Sequence, residues 1–248
     1  MASYRKKRID QRLVDEGLAP SRAQAADLVR RGCVLVAGAT ANKPGATIAD
    51  DVALSLAPGT DAYVSRGALK LAAALDAFEF SAEDRVALDV GASTGGFTEI
   101  LLARGAAKVY AVDVGRDQLH ASLRADPRVV SLEGTDARTI DTALVPEPVE
   151  AIVADMSFIS LTQALPAALT RAAPGAWLAV LVKPQFEAGR EAVGRGGLVR
   201  DEADRQRAIA RVRDFLEQEG WRALGVIESP ITGGSGNIEY LIGARNDR

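Results

Sequence analysis

Four ionisable side chains, Lys70, Asp155, Lys183 and Glu239, lie far apart in the chain, each close to where a regular element should start or stop. Lys183 ends the apolar run 177–182 and is followed by Pro184. Lysine is rarely buried unless it is paired. The plainer reading is therefore an ion pair with Asp155 at a neighbouring strand end. The chemical reading is proton transfer, or the holding of a weakly acidic group, by an amine whose charge its neighbours tune.

A second constellation lies in the stretch from Asp89 to Thr98, Asp-Val-Gly-Ala-Ser-Thr-Gly-Gly-Phe-Thr. Gly91, Gly95 and Gly96 permit a tight turn and close backbone approach to a ligand. Ser93 stands where a dinucleotide fingerprint has its second glycine, which disfavours a pyrophosphate. Asp113, at the end of the next predicted strand, can accept both hydroxyls of a ribose. An adenosine without phosphates fits, and the set points to S-adenosylmethionine. Asp89 would face its methionine end, with Ser93 and Phe97 in the same loop, and Asp136 would accept from the adenine amino group.

These residues need a frame. Apolar strands are predicted at 86–90, 107–112, 129–130, 151–154 and 177–182, with two more at 223–227 and 238–244. Helices are predicted at 96–104, 160–172 and 202–219. Alternation of this kind means an α/β fold with a largely parallel, Rossmann-like sheet of seven strands. Ligands bind such sheets beyond the carboxyl ends of the strands, where Gly91, Asp113, Asp155 and Lys183 fall. With one cysteine, Cys33, and one histidine, His120, a Cys/His zinc site and a disulfide framework are excluded, and no metal is expected.

Charge divides the chain. Residues 1–60 carry nine Lys/Arg against six Asp/Glu, whereas 61–248 carry 21 against 27. A basic end on an acidic body suggests a polyanion partner for the end. Ile9, Leu13 and Val14 predict one short helix closed at Gly17. Ser21 predicts the cap of a second, with short strands following at 33–36 and 52–56. The expected organisation is a small α+β module at 1–60, a linker at 61–64 and the α/β domain at 65–248.

The first sixty residues resemble the α-L RNA-binding module. The resemblance rests on Arg8-Ile9-Asp10, Leu13, Gly17-Leu18, Ser21-Arg22, the helix end from Val29 to Gly32, Val34, Val36, Gly38 and Lys43-Pro44-Gly45. It implies that Arg5, Lys6, Lys7, Arg8, Arg12, Arg22, Arg30, Arg31 and Lys43 meet RNA phosphates. Lys70, Asp155, Lys183 and Glu239 resemble the Lys-Asp-Lys-Glu tetrad of the FtsJ-like ribose 2′-O-methyltransferases. With the glycine loop, the run from Asp155 to Ser160 and the run from Lys183 to Glu187, the whole resembles the TlyA family. That resemblance implies an rRNA cytidine-2′-O-methyltransferase acting on small- and often large-subunit rRNA, with the tetrad catalytic. Where the family often has Asn, this chain has Asp136.

A ribose hydroxyl is a weak nucleophile, so oxygen, methyl and sulfur must be aligned and a proton removed. Lys183 accepts that proton only when neutral. Lys70 as a nearby cation favours that state and Asp155 opposes it, so base and orienting donor both remain open. Two other classes compete: an RNA-binding ribosome-assembly factor without catalysis, and a membrane-active haemolysin. The filled tetrad disfavours the first. The second is disfavoured because no run approaches the ~20 apolar residues of a span. The basic start also lacks the apolar core of a signal peptide. The expectation is a cytoplasmic enzyme with ribosomal RNA or subunits as partner, no membrane, and no obligate protein partner.

Overall fold

The computed structural model describes residues 6–19, 22–30, 32–58 and 63–248. They form two compact units, Met1–Arg66 and Gly67–Arg248.

The first unit runs β1 (Lys6–Arg8), α1 (Ile9–Asp15), α2 (Arg22–Arg30), β2 (Val34–Val36), β3 (Ala39–Thr40), β4 (Thr47–Ala49) and β5 (Leu54–Leu56). Strands β1 and β4 pair antiparallel, and β3-β2-β5 make a second small sheet. Ile9 and Leu13, one helical turn apart, meet Ala25, Val29 and Val34 in the core. Gly17, at φ +73°, lets the Leu18 amide turn back to the Leu13 carbonyl and close α1. Strand β1 escapes sequence patterning because Lys6, Lys7 and Arg8 are all exposed, so no alternation of apolar and polar residues marks its backbone pairing with β4. The predicted cap Ser21, with Arg5 and Arg31, lies outside the described residues.

Arg12 requires a correction. It is only 6% exposed, and its guanidinium donates to the carbonyls of Ala49 and Val52 at 2.9 Å each while pairing with Glu16. It ties α1 to the β4 end, with four of its five N–H donors used and the group too buried to meet a phosphate. Arg8 and Arg22 share the buried Asp10 but keep half-exposed guanidinium groups. Lys7 pairs with Asp15, and Lys6, Arg30 and Lys43 are exposed.

The second unit begins with α3 (Gly67–Ala77) and continues β6 (Val86–Val90), α4 (Gly96–Ala103), β7 (Lys108–Asp113), α5 (Ala121–Arg124), β8 (Val129–Glu133), β9 (Val149–Ala154), α6 (Leu161–Ala164), α7 (Pro166–Leu169), β10 (Ala172–Val182), α8 (Pro184–Glu187), α9 (Glu202–Gln218), β11 (Trp221–Glu228) and β12 (Tyr240–Asn246). The seven strands lie in the order β11-β12-β10-β9-β6-β7-β8, and β12 alone runs antiparallel to its neighbours. The chain winds outward from β6 through β7 to β8, then returns to β9 on the other side of β6. The carboxyl ends of β6 and β9 therefore flank a topological switch point. Leu88, Ile152, Leu178 and Ile242 fill the core across these central strands.

The helix predicted at 160–172 is broken. Pro166 has no amide hydrogen to donate and starts a new helix, α7, and β10 already begins at Ala172. Pro174 and Gly175 fall in the register shift between Ala172 and Trp177.

Replacing Arg12 with Ala should destabilise the first unit by about 1–3 kcal/mol, the cost of leaving buried carbonyls unpaired. If the first unit meets RNA phosphates as its sequence implies, the salt dependence of binding should be unchanged in Arg12→Ala, whereas Lys43→Ala should lower the slope by about one. Denaturant titration and binding at several salt concentrations check the two halves.

Candidate functional site

At the switch point the loop from β6 to α4 folds back on β7. The amides of Gly91 and Ala92 both donate to the Val112 carbonyl, at 2.8 and 3.0 Å. A Cβ on Gly91 would stand 2.6 Å from the Asp155 carbonyl oxygen, so only glycine fits between the two strand ends. Ser93 adopts φ +49° without being glycine, and its amide donates to Asp113 Oδ2 at 2.8 Å. The Gly115 amide holds Oδ1 at 2.7 Å. Asp113 is thus aimed by two backbone donors and retains about two free lone-pair positions, the number that a ribose diol requires. Gly95, at φ +99°, caps α4, and Gly96 is the first, buried residue of that helix.

Asp89 is fully buried. Thr98 Oγ1 donates to its Oδ2 at 2.6 Å, and Oδ1 has no partner. Burial pushes this carboxyl up to about 7. The orphan oxygen, the aimed Asp113 and the 75% exposed side chain of Val114 beside it fit an adenosine with a cationic methionine tail. Phe97 does not fit as assigned: it is 3% exposed on α4 and packs as core. Asp136, the predicted adenine contact, is engaged locally. It caps the turn Ala137–Thr139 and pairs with Arg138 at 2.5 Å, an interaction that holds its carboxyl at about 2.

The second half is the tetrad. Asp155 follows β9, Lys183 follows β10 and Glu239 precedes β12. Val182 faces Tyr240 across the antiparallel pair, so the next positions outward are Lys183 and Glu239. Lys70 comes from α3. Its Nζ lies 2.5 Å from Glu239 Oε2, and both residues are buried. Lys183 Nζ lies 2.5 Å from Asp155 Oδ1, at an angle outside hydrogen-bond geometry, and donates to Ser157 Oγ at 2.8 Å. This second pair is partly buried, with side-chain exposures of 12% and 23% and the contacting Asp155 Oδ1 itself shielded from solvent. One buried pair thus stands beside one partly accessible pair at the same sheet edge.

Three participants are not assigned a role by the sequence, although two lie in the runs 155–160 and 183–187. Glu187 is buried and receives Ser160 Oγ at 2.6 Å and the Leu161 amide at 2.7 Å, clamping the loop after β9 to α8. Burial raises its carboxyl above the usual range. Glu133 receives the amides of Gln118 and Leu119 at 2.6 and 3.0 Å and so holds the loop beyond Asp113. Phe158 is 92% exposed at φ +67°, with its ring centroid 5.5 Å from that of Phe186. Its run Met-Ser-Phe-Ile reads as core by composition. Only the strained backbone exposes the ring beside Lys183.

A family model described as FtsJ-like methyltransferase matches residues 63–246, and an S4 domain model matches 7–50. The 16S/23S rRNA (cytidine-2′-O)-methyltransferase TlyA of Mycobacterium tuberculosis is 48% identical over 242 residues, covering 97% of this chain and 90% of that protein. Hemolysin A of Brachyspira hyodysenteriae is 39% identical, covering 94% and 98%. A solved chain from Streptococcus thermophilus that carries a haemolysin name superposes with a TM-score of 0.77 at 41% identity, covering 98% of this chain and 90% of that one.

The buried Asp89 sets a pH dependence. Unfolded, it ionises near 3.8; folded, near 7. Between these values the native state keeps a proton that the unfolded chain has lost. Stability from this group is therefore full below about pH 4, falls as pH rises, and is flat above about 7. Asp89→Asn keeps an acceptor for Thr98 and cannot ionise. It should remove this fall, with a gain on the order of a few kcal/mol at pH 8. Urea midpoints at pH 5 and pH 8 check it.

Proposed function

The chain belongs to the FtsJ-like methyltransferase family, and from that premise we propose that it methylates a ribose 2′-hydroxyl of ribosomal RNA. S-adenosylmethionine, when bound, supplies a sulfonium methyl as electrophile. Asp113 would hold the ribose of the cofactor, the β6–α4 loop would accommodate its backbone side, and Asp89 would face the methionine end. A cytidine acceptor in 16S or 23S rRNA follows the M. tuberculosis relative, and ribosomal subunits in the cytoplasm are then the natural partners. Lys6, Arg8, Arg22, Arg30 and Lys43 remain as exposed cations of the first unit that could meet RNA phosphates.

The observation that carries this reading is the pairing of a buried Lys70–Glu239 couple with a partly accessible Lys183–Asp155 couple at the carboxyl edge of the sheet. The inner couple fixes Glu239 and, through the sheet register, the place of Lys183 beside it. The outer amine orients the hydroxyl oxygen. The hydroxyl's proton leaves to Lys183 Nζ, and Asp155, 2.5 Å away, balances the charge of the ammonium that results. No net charge is created in the site. Phe158 offers a flat apolar surface on the acceptor side.

Labelled methyl donor with 30S and 50S subunits should place label on a ribose, mapped as an alkali-resistant linkage. Label on a base overturns the reading. Lys183→Ala should slow single-turnover transfer by roughly 10²–10⁴-fold, the span of a lost acid–base group. Lys183→Arg should be nearly as slow, because guanidinium does not release its proton. Cofactor affinity should change little; the melting temperature should hold in Lys183→Arg, which keeps a cation on Asp155, and fall in Lys183→Ala, which leaves the shielded Oδ1 unpaired. A Lys183→Arg enzyme that keeps most of its rate removes the base role and leaves only orientation.

A further inference from the structure

The second unit is acidic, and nine of its arginines hold a carboxylate. One segment gathers three arginines that do not. Residues 189–200, between α8 and α9, carry Arg190, Arg195 and Arg200, all exposed, against a single carboxylate, the exposed Glu191. None has a side-chain hydrogen bond or ion pair among the described residues. Positive φ at Gly189, Gly196 and Gly197 curls the segment into two short turns, and the Gly194 amide closes it on the Leu198 carbonyl at 2.9 Å.

The loop is anchored to the site at both ends. Its start follows directly from Lys183 through α8. Its far half is held by Asn237, only 2% exposed, which donates to the Gly197 carbonyl at 2.8 Å and accepts the Val199 amide at 2.9 Å. Asn237 stands two residues before Glu239. A solvated charge run would need no such buried buttress. The loop is therefore carried with the tetrad rather than attached at random to the surface.

We propose that this loop is a second RNA-backbone site, a phosphate grip on the strand that carries the acceptor nucleotide. The proposal rests on the rRNA reading above. Phosphodiester oxygens match arginine donors that have no competing partner, and such contacts set position without reading sequence. The loop would fix the stretch of RNA nearest Lys183.

The test is the full-length triple variant Arg190→Gln, Arg195→Gln, Arg200→Gln beside the Arg→Lys triple. The probes are 30S and 50S subunits and a short single-stranded RNA of unrelated sequence. Because all three positions are exposed, the melting temperature should not move. The Gln triple should bind RNA at least about tenfold more weakly at low salt. Its log–log salt slope should be shallower by about two to three, near one per arginine. KM for subunits should rise while kcat and cofactor affinity hold, and the Lys triple should restore the slope. An unchanged slope and KM would overturn the proposal, as would loss of binding to anionic phosphatidylserine vesicles with RNA binding intact. If the wild-type protein labels no ribose on either subunit, the rRNA reading fails on its own account. The RNA-binding slopes still decide the loop.

Discussion

A buried amine and a buried carboxylate must be brought together, because either alone would be several kcal/mol out of place. Lys70 and Glu239 meet this condition at the carboxyl edge of the sheet, and much of the topology follows from it. A residue just ahead of a strand reaches that edge only if the strand runs backwards. Strand β12 is the reversed strand, and it lies against β10, so its entry places Glu239 beside Lys183. The antiparallel insertion is thus what lets the loop before one strand and the loop after another supply one cluster.

The other half of the edge obeys a steric condition instead. Strands β6 and β9 are neighbours at the switch point, and the backbone after β9 passes so close that Gly91 can carry no side chain. Two backbone amides then hold the Asp113 carboxylate. A charged side chain fixed by the main chain is preorganised at little entropic cost. Glu133, one strand further out, repeats the device for the next loop.

Much of this was legible in the sequence, because strand ends are marked where apolar runs stop at a single charged residue. That rule located Asp113, Asp155 and Lys183. It failed where a side chain's role depends on a distant partner. Arg12 looks like any arginine on a polar helix face until β4 supplies the carbonyls that bury it. Phe97 and Phe158 show the converse failure: both are aromatic residues in apolar runs, yet one is core and the other is almost wholly exposed, and only the local backbone separates them. The helix break at Pro166 was available from the residue itself, but the apolar periodicity across it masked the stop.

The placement of β12 also bears on how the protein is made. It comes after β11 in the chain but lies inside β11 in the sheet, between that strand and β10. A ribosome delivers strands in sequence order. Until β12 emerges, β11 has no neighbour to pair with, β10 has one open edge and Lys70 has no counter-ion. Catalytic competence is therefore acquired late in synthesis, with the same strand that closes the sheet, and a chain that stops short of it lacks both.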